Sequence, residues 1–211
     1  MPHILLVDDH TVITTGLKIV IGNFLANSVI DVANNGDIAF EKVKRTDYDL
    51  IIMDISLPNT DSFNIVSNIL AIKPASRILM FSMSPEDMFA KRYLRLGALG
   101  YVSKDAPLKE IKNAIENALK NQRYMSPELQ EKIALEALSN DHHENEFDKL
   151  SPREFEIVQH LVHGDSVSEI SKKLHLHTST IGTHKAKIFE KLHCENIVEL
   201  VTIAKVHNLI Y

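Results

Sequence analysis

Three aspartates are the residues of this sequence best placed to do chemistry. Asp8 and Asp9 follow the apolar run His3 to Val7, and Asp54 lies within the stretch LIIMDISLP, residues 50 to 58. Leu50, Ile51, Ile52 and Met53 run without alternation, the pattern of a parallel strand covered on both faces. Such a strand delivers Asp54 to the carboxyl edge of its sheet, where open α/β sheets bind their ligands. If the first and third strands lie side by side, Asp8 and Asp9 converge on Asp54. Three carboxylates at short range repel one another, and a hard divalent cation is the least costly remedy. Oxygen ligands without a cysteine or histidine set favour Mg²⁺ over zinc. The alternative for Asp8 and Asp9 is a helix cap, a position aspartates favour.

Two further groups face the same crevice. Ser82 closes the fourth apolar run and Lys104 follows the fifth. A hydroxyl, an ammonium and a cation around one carboxylate make a site for an anion added to that carboxylate. Phosphoryl fits, because its transfer needs mainly in-line positioning and charge neutralisation. A P-loop nucleotide site is excluded, since no glycine-rich loop with its lysine follows any strand.

The elements that must position these groups alternate through the first 125 residues. Strand-like runs at His3 to Val7, Val29 to Ala33, Leu50 to Asp54, Arg77 to Ser82 and Gly100 to Ser103 are each followed by a helix-like run. The helical runs are Val12 to Phe24, Asp37 to Lys44, Phe63 to Ile72, Pro85 to Leu96 and Pro107 to Asn121. Five βα units in succession predict a doubly wound, five-stranded parallel sheet. The strand order is open at this stage. Pro127 to Leu138 can extend as a helix, whereas Ser139 to Lys149 (SNDHHENEFDK) is polar, acidic and aperiodic, as a linker is. His142 and His143 there read as part of a solvated tether, because no ligand set at metal spacing accompanies them.

A second unit opens at Ser151-Pro152-Arg153-Glu154, which is an N-cap, a first-turn proline and a glutamate three residues after the cap. Four short helices follow, ending near Gly164, Leu174, Leu192 and Val206, and the brief turn between the second and third fits a helix-turn-helix. The expected boundaries are 1–125 for the α/β domain, 126–149 for a partly helical acidic linker and 150–211 for a small all-α domain.

Composition bounds the function classes. At 211 residues, 45% apolar and 24% charged, the chain suffices for one medium domain or two small ones with real cores. No N-terminal secretory pattern or membrane-length apolar run occurs, and the single cysteine, Cys194, is compatible with a reducing compartment. A cytoplasmic location is expected. The net charge of −5 lies entirely in residues 126 to 149, which carry 2 basic against 7 acidic groups. The flanking parts are each balanced, at 14 against 14 and 7 against 7, so any DNA binding comes from local clustering or from pairing two chains.

The set Asp8-Asp9-His10, Asp54 with Pro58, Ser82, Tyr101 and Lys104 resembles the receiver domain of two-component response regulators, with its flavodoxin-like fold. The segments LSPREFEIV, EISKKL, TIGTHKAKIFEKL and VELV resemble the LuxR-type helix-turn-helix of the NarL/FixJ subfamily. The resemblance implies that Asp54 accepts phosphoryl from a sensor histidine kinase or a phosphotransfer protein. Asp8, Asp9, Asp54 and the backbone carbonyl of Ser56 would hold Mg²⁺. Lys104 would pair with the acyl phosphate, and Ser82 would move to bind it and let Tyr101 turn inward. In the output domain, Thr180, Thr183, Lys185 and Lys187 would reach double-stranded DNA, with Lys172 and Lys173 near its backbone.

The sequence departs from the family pattern at four positions. Ser62 stands where glycine is common, which predicts an altered path for the loop after Asp54. Met83 replaces a small residue and is expected to narrow access to Asp54. Gly182 and Ala186 stand where polar residues often read the groove, so either the backbone approaches DNA there or the helix reads another sequence. A modest, salt-sensitive, dimer-dependent DNA affinity is expected. Val198, Val201, Thr202 and Lys205 share a face of the last helix, either for pairing of phosphorylated chains or for the small core. Two other functions compete: an aspartyl-phosphate phosphatase, which usually has a second acid where Ser56 stands, and a phosphorylation-independent DNA binder.

Overall fold

The computed structural model describes residues 1–58, 60–138, 146–206 and 209. The chain divides into two compact units, Met1–Asp141 and His142–Tyr211. The histidine pair 142–143 lies outside the described residues.

The first unit is built on five parallel strands: β1 (His3–Val7), β2 (Val29–Ala33), β3 (Leu50–Met53), β4 (Ile78–Ser82) and β5 (Gly100–Ser103), in the order β2-β1-β3-β4-β5. Helices α1 (Thr11–Phe24), α2 (Gly36–Arg45), α3 (Ser62–Ile72), α4 (Glu86–Leu96) and α5 (Leu108–Leu119) alternate with them. The unbroken apolar run of β3 has the predicted cause: all four of its residues are at most 3% exposed, because helices cover both faces of the sheet. Below one face, Leu17 and Ile21 of α1 meet Ile4, Leu6, Leu50, Ile52 and the Ala114-Ile115 segment of α5 in one core. Each such aliphatic side chain contributes about 1.5–3 kcal/mol on burial.

Register decides where the acids emerge. Val7 stands opposite Met53, and the Asp54 N–H continues the ladder by donating to the Val7 carbonyl at 2.9 Å. Asp8 and Asp54 therefore leave adjacent strands side by side. Most predicted helix limits agree to within one or two residues, the spread expected of fraying helix ends.

The first unit continues past the expected boundary at 125. Helix α6 (Pro127–Leu138) has the limits expected from the sequence, but it belongs to the first unit. Tyr124 bridges to Gly100 at the edge of β5, where a Cβ on the glycine would lie 2.9 Å from the Tyr124 carbonyl oxygen. The Ser126 N–H donates to Glu86 at 3.3 Å, Leu129 is 3% exposed, and Lys132 pairs with Asp87 at 3.1 Å. Net charge and polarity mark this segment as a tether, but one buried leucine and a sheet edge in need of a partner hold its first half. At the other end of the expected linker, a short 3₁₀ helix (Glu146–Lys149) belongs to the second unit. It buries Phe147 completely, with its ring 6.2 Å from that of Phe155.

The second unit contains α7 (Pro152–Val162), α8 (Val167–Lys173), α9 (Thr178–Lys191) and α10 (Ile197–Val206). The capping box predicted at Ser151 and Glu154 forms, and a second one at Ser166 and Glu169 starts α8. Glu154 also reaches Lys191 of α9 at 2.6 Å, and Arg153 donates to the Leu174 carbonyl at 3.0 Å. The two residues that open α7 thereby tie the ends of α8 and α9 to it.

Candidate functional site

The carboxyl edge of the sheet gathers the groups named from the sequence. Asp8 and Asp54 are 5% and 3% exposed, and Lys104, which follows β5, places its ammonium 2.6 Å from Asp8 Oδ2 and 2.8 Å from Asp54 Oδ2. Two buried carboxylates thus share one buried cation. Burial draws the Lys104 ammonium down, but the Asp54 charge and the bonds to Asp54 and Asp8 outweigh it and hold its pKa above the ordinary lysine value. The other oxygen of Asp54 accepts the Ser56 N–H at 3.2 Å. Both oxygens of the carboxylate are therefore oriented before any ligand arrives.

Asp9 lies on the exposed side, and His10 joins it to Asp8. His10 Nδ1 is 2.9 Å from Asp9 Oδ1 and 3.2 Å from Asp8 Oδ1, and its backbone N–H donates to the latter at 2.8 Å. Ligand atoms of Asp8, Asp9, His10 and Asp54 all fall within 4.8 Å of one another. Three converging carboxylates at this spacing fit a hard divalent cation. His10 follows Asp8-Asp9 in the sequence but was not assigned to the site, because residue spacing does not tell where a side chain points at a strand-to-helix turn.

Ser82 is fully buried, and its Oγ accepts the Ser84 N–H at 3.2 Å. Tyr101, on β5, is also fully buried, and its hydroxyl donates to the Ser84 carbonyl at 2.6 Å. Burial pushes the Tyr101 phenol well above the ordinary tyrosine value, opposed by a bond with Ser82 and reinforced by the charges of Asp54, Glu86 and Asp87. Tyr101 already faces inward here, and Ser84 is the residue that receives it. Sequence reasoning named Ser82 and Tyr101 but missed Ser84, whose role lies in its backbone. Met83, which follows Ser82, is 61% exposed.

In the second unit, α9 turns Ser179, Gly182, Thr183, Ala186 and Lys187 outward. A Cβ on Gly182 would meet nothing within 4 Å, so no intramolecular packing requires this glycine. The expected DNA-facing residues differ in how they are held. Lys172 and Lys187 are exposed, whereas Thr180 is half-buried. The Thr183 hydroxyl donates to the Ser179 carbonyl at 3.1 Å, and Lys185 lies 5.3 Å from the centre of the Phe189 ring. Lys173 pairs with Asp165 at 2.7 Å, and the same carboxylate holds His160 at 2.7 Å. On α10, Leu200 and Ala204 enter the core, while Val198, Thr202 and Lys205 are exposed and Val201 is half-buried. The four-residue face considered for pairing is therefore largely outside the core.

The family model for the response regulator receiver domain matches residues 4–116, more than half of the chain. The chain is a two-component response regulator. Its output segment, residues 148–204, matches the family of bacterial regulatory proteins of the luxR type. Response regulator GacA of Pseudomonas aeruginosa is 30% identical over 210 residues, covering 100% of this chain and 98% of GacA. The fimbriae Z protein of Salmonella typhimurium is 33% identical over 213 residues, covering 98% of each. Among solved structures, RcsB from Salmonella enterica serovar Typhimurium superposes with a TM-score of 0.60 at 22% identity. It covers 97% of this chain and 99% of RcsB, and shares the fold. The expected two-part architecture thus holds: a flavodoxin-like receiver with a helical LuxR-type domain. Among the described residues, no helix is long and apolar enough to cross a membrane.

Proposed function

We propose that this regulator is switched by phosphoryl transfer to Asp54 from a sensor histidine kinase or phosphotransfer protein. One observation carries the reading: the Lys104 ammonium bridges buried Asp54 and Asp8 at the carboxyl edge of the sheet, 2.8 and 2.6 Å away. An Asp54 oxygen attacks the donor phosphorus, the new O–P bond forms as the P–N bond to histidine breaks, and the leaving imidazole keeps the bond electrons and takes a proton. Asp8, Asp9, Asp54 and the Ser56 carbonyl would hold Mg²⁺, which supplies charge neutralisation for the transferred group. Lys104 turns from Asp54 to a phosphoryl oxygen, and Ser82 donates its hydroxyl to another. Ser84 is bonded to Ser82 through its N–H and to Tyr101 through its carbonyl, so motion of Ser82 reaches Tyr101 by one residue.

The output is proposed to be dimer-dependent, sequence-specific binding of double-stranded DNA in the cytoplasm, regulating transcription. Thr180, Thr183, Lys185 and Lys187 of α9 read or position on the groove, and Lys172 and Lys173 lie near phosphates, with Lys173 first leaving Asp165. The exposed face of Val198, Val201, Thr202 and Lys205 pairs two chains. With Ser56 where a phosphatase usually has its second acid, the protein is expected to label itself without turning over phosphate esters. A second reading, phosphorylation-independent DNA binding, is favoured by the inward Tyr101. The deciding experiment labels wild type and Asp54→Asn with acetyl phosphate and Mg²⁺, then footprints both on genomic DNA. Label confined to wild type, together with a changed footprint, supports the first reading. Identical footprints with and without beryllofluoride support the second.

A further inference from the structure

The loop leaving β3 contains a buried hydroxyl whose partner lies next to the acceptor. Ser62, the first residue of α3, is 3% exposed and donates its hydroxyl to the Ile55 carbonyl at 2.5 Å. A trans peptide group is planar, so the unit joining Ile55 to Ser56 presents that carbonyl on one edge and the Ser56 N–H on the other. This N–H donates to Asp54 Oδ1 at 3.2 Å. One rigid plane therefore links the Ser62 hydroxyl to the Asp54 carboxylate. Hydrogen bonds in series polarise one another, and these run in the same sense: density drawn onto the Ile55 oxygen makes the Ser56 proton a better donor.

The far half of the loop is fixed by other groups. The Thr60 hydroxyl accepts the Gly36 N–H at 3.2 Å and donates to the Pro58 carbonyl at 3.0 Å. Asp61 caps α3 by accepting the Phe63 and Asn64 N–H groups at 3.1 and 3.2 Å. None of these bonds touches the Ile55–Ser56 plane. Among the described residues, the hydrogen bonds on that plane are those of Ser62 on one side and Asp54 on the other.

We infer that Ser62 is a positioning residue for phosphoryl acceptance, acting through the Ile55–Ser56 peptide. It orients Oδ1 of Asp54 through the Ser56 N–H that the same peptide plane carries. A glycine here, the residue common in related receivers, has no hydroxyl with which to make the link. The inference rests on Asp54 being the acceptor, and its test separates the two.

The test uses the full chain with Ser62→Ala and Ser62→Gly, which remove the hydroxyl, and Ser62→Thr, which keeps one. Three quantities are read: the Ser56 amide proton shift by NMR, the rate of Asp54 labelling by acetyl phosphate at saturating Mg²⁺, and hydrogen exchange of the β3 amides as a measure of stability. In Ser62→Ala and Ser62→Gly the Ser56 proton should move upfield and labelling should slow several-fold, while Ser62→Thr restores both. A purely structural role predicts faster β3 exchange with an unmoved Ser56 proton and an unchanged labelling rate, and that result overturns the inference. A Ser56 shift without any change in labelling also overturns it. If wild type itself does not label while the Ser56 proton still responds to loss of the hydroxyl, the acceptor assignment fails and the link through the peptide stands.

Discussion

Replacing Lys104 with methionine keeps most of the stem's volume and removes the charge that Asp8 and Asp54 share. The side chains of Lys104, Asp8 and Asp54 are 4%, 4% and 3% exposed, so solvent does little to screen the loss. Removing one partner of a buried ion pair costs about 3–5 kcal/mol. Here one ammonium serves two carboxylates that then face each other, which places the effect towards the upper end of that range. At about 1.4 kcal/mol per decade, the central β3 amides should exchange roughly 10³-fold or more faster, up to about 3,000-fold, in Lys104→Met without divalent cations. Hydrogen exchange read strand by strand suits a chain of two units, whose overall melting is not a single transition. Magnesium should slow this exchange more in the variant than in wild type, because cation and ammonium draw on the same carboxylates. The raised Lys104 pKa sets the pH window. Its contribution is fully present below the ordinary lysine value of about 10.4 and is lost only as pH rises through the higher folded value. The difference between variant and wild type should therefore persist through neutral pH. Exchange within tenfold of wild type, or a magnesium effect no larger than in wild type, would refute the shared-cation account.

Met83→Ala should raise both the rate of acetyl-phosphate labelling and the rate of acyl-phosphate decay, since exposed Met83 directly follows Ser82; unchanged rates would remove Met83 as a gate. Gly182→Ala should stabilise the output unit by about 1 kcal/mol, a rise of roughly 4–8 °C in its calorimetric transition, because the new methyl meets no neighbour. A gel shift on the same variant reads the second half of the argument: weaker binding by the more stable protein means the backbone at 182 approaches DNA. Burial pushes the Glu154 carboxyl up, but bonds to Lys191 and Ser151 and the Lys191 charge together outweigh it and hold the group below the ordinary glutamate value. Its stabilisation is present at neutral pH and is lost as pH falls through the ordinary glutamate value of about 4.3 and then the folded one. Lys191→Met should flatten the acid side of the output unit's stability profile, followed by exchange of the α7 amides.

Much of this protein can be read from local pattern. The unbroken apolar run of Leu50 to Met53 identified the covered central strand, and Ser151-Pro152-Arg153-Glu154 fixed the start of α7 to the residue. These signals are legible because period and capping depend on neighbours within a few positions. The second capping box, at Ser166 and Glu169, carried the same signal and was missed. The segment from 126 to 138 reads as linker because charge and polarity describe average solvation, whereas Leu129 and the Tyr124 bridge to Gly100 act through single contacts. The parts played by His10 and Ser84 are not legible in the sequence for a different reason: they depend on ring direction and backbone polarity, which residue type does not encode.

By itself, the sequence determined which groups were available: three aspartates, a lysine, a serine and a tyrosine, each at the end of a strand or within one. It also determined the order of the elements that carry them. Only the tertiary structure decided that β1 lies beside β3, so that Asp8 and Asp54 emerge together, and that Lys104 crosses 50 residues of chain to sit between them. Strand adjacency is set by which helices can cover both faces of the open sheet, a property of the whole unit rather than of any window. The same holds for the Ser62 hydroxyl, the Ile55–Ser56 plane and the Asp54 carboxylate: the residues lie within nine positions of one another, but their alignment exists only once α3 is packed.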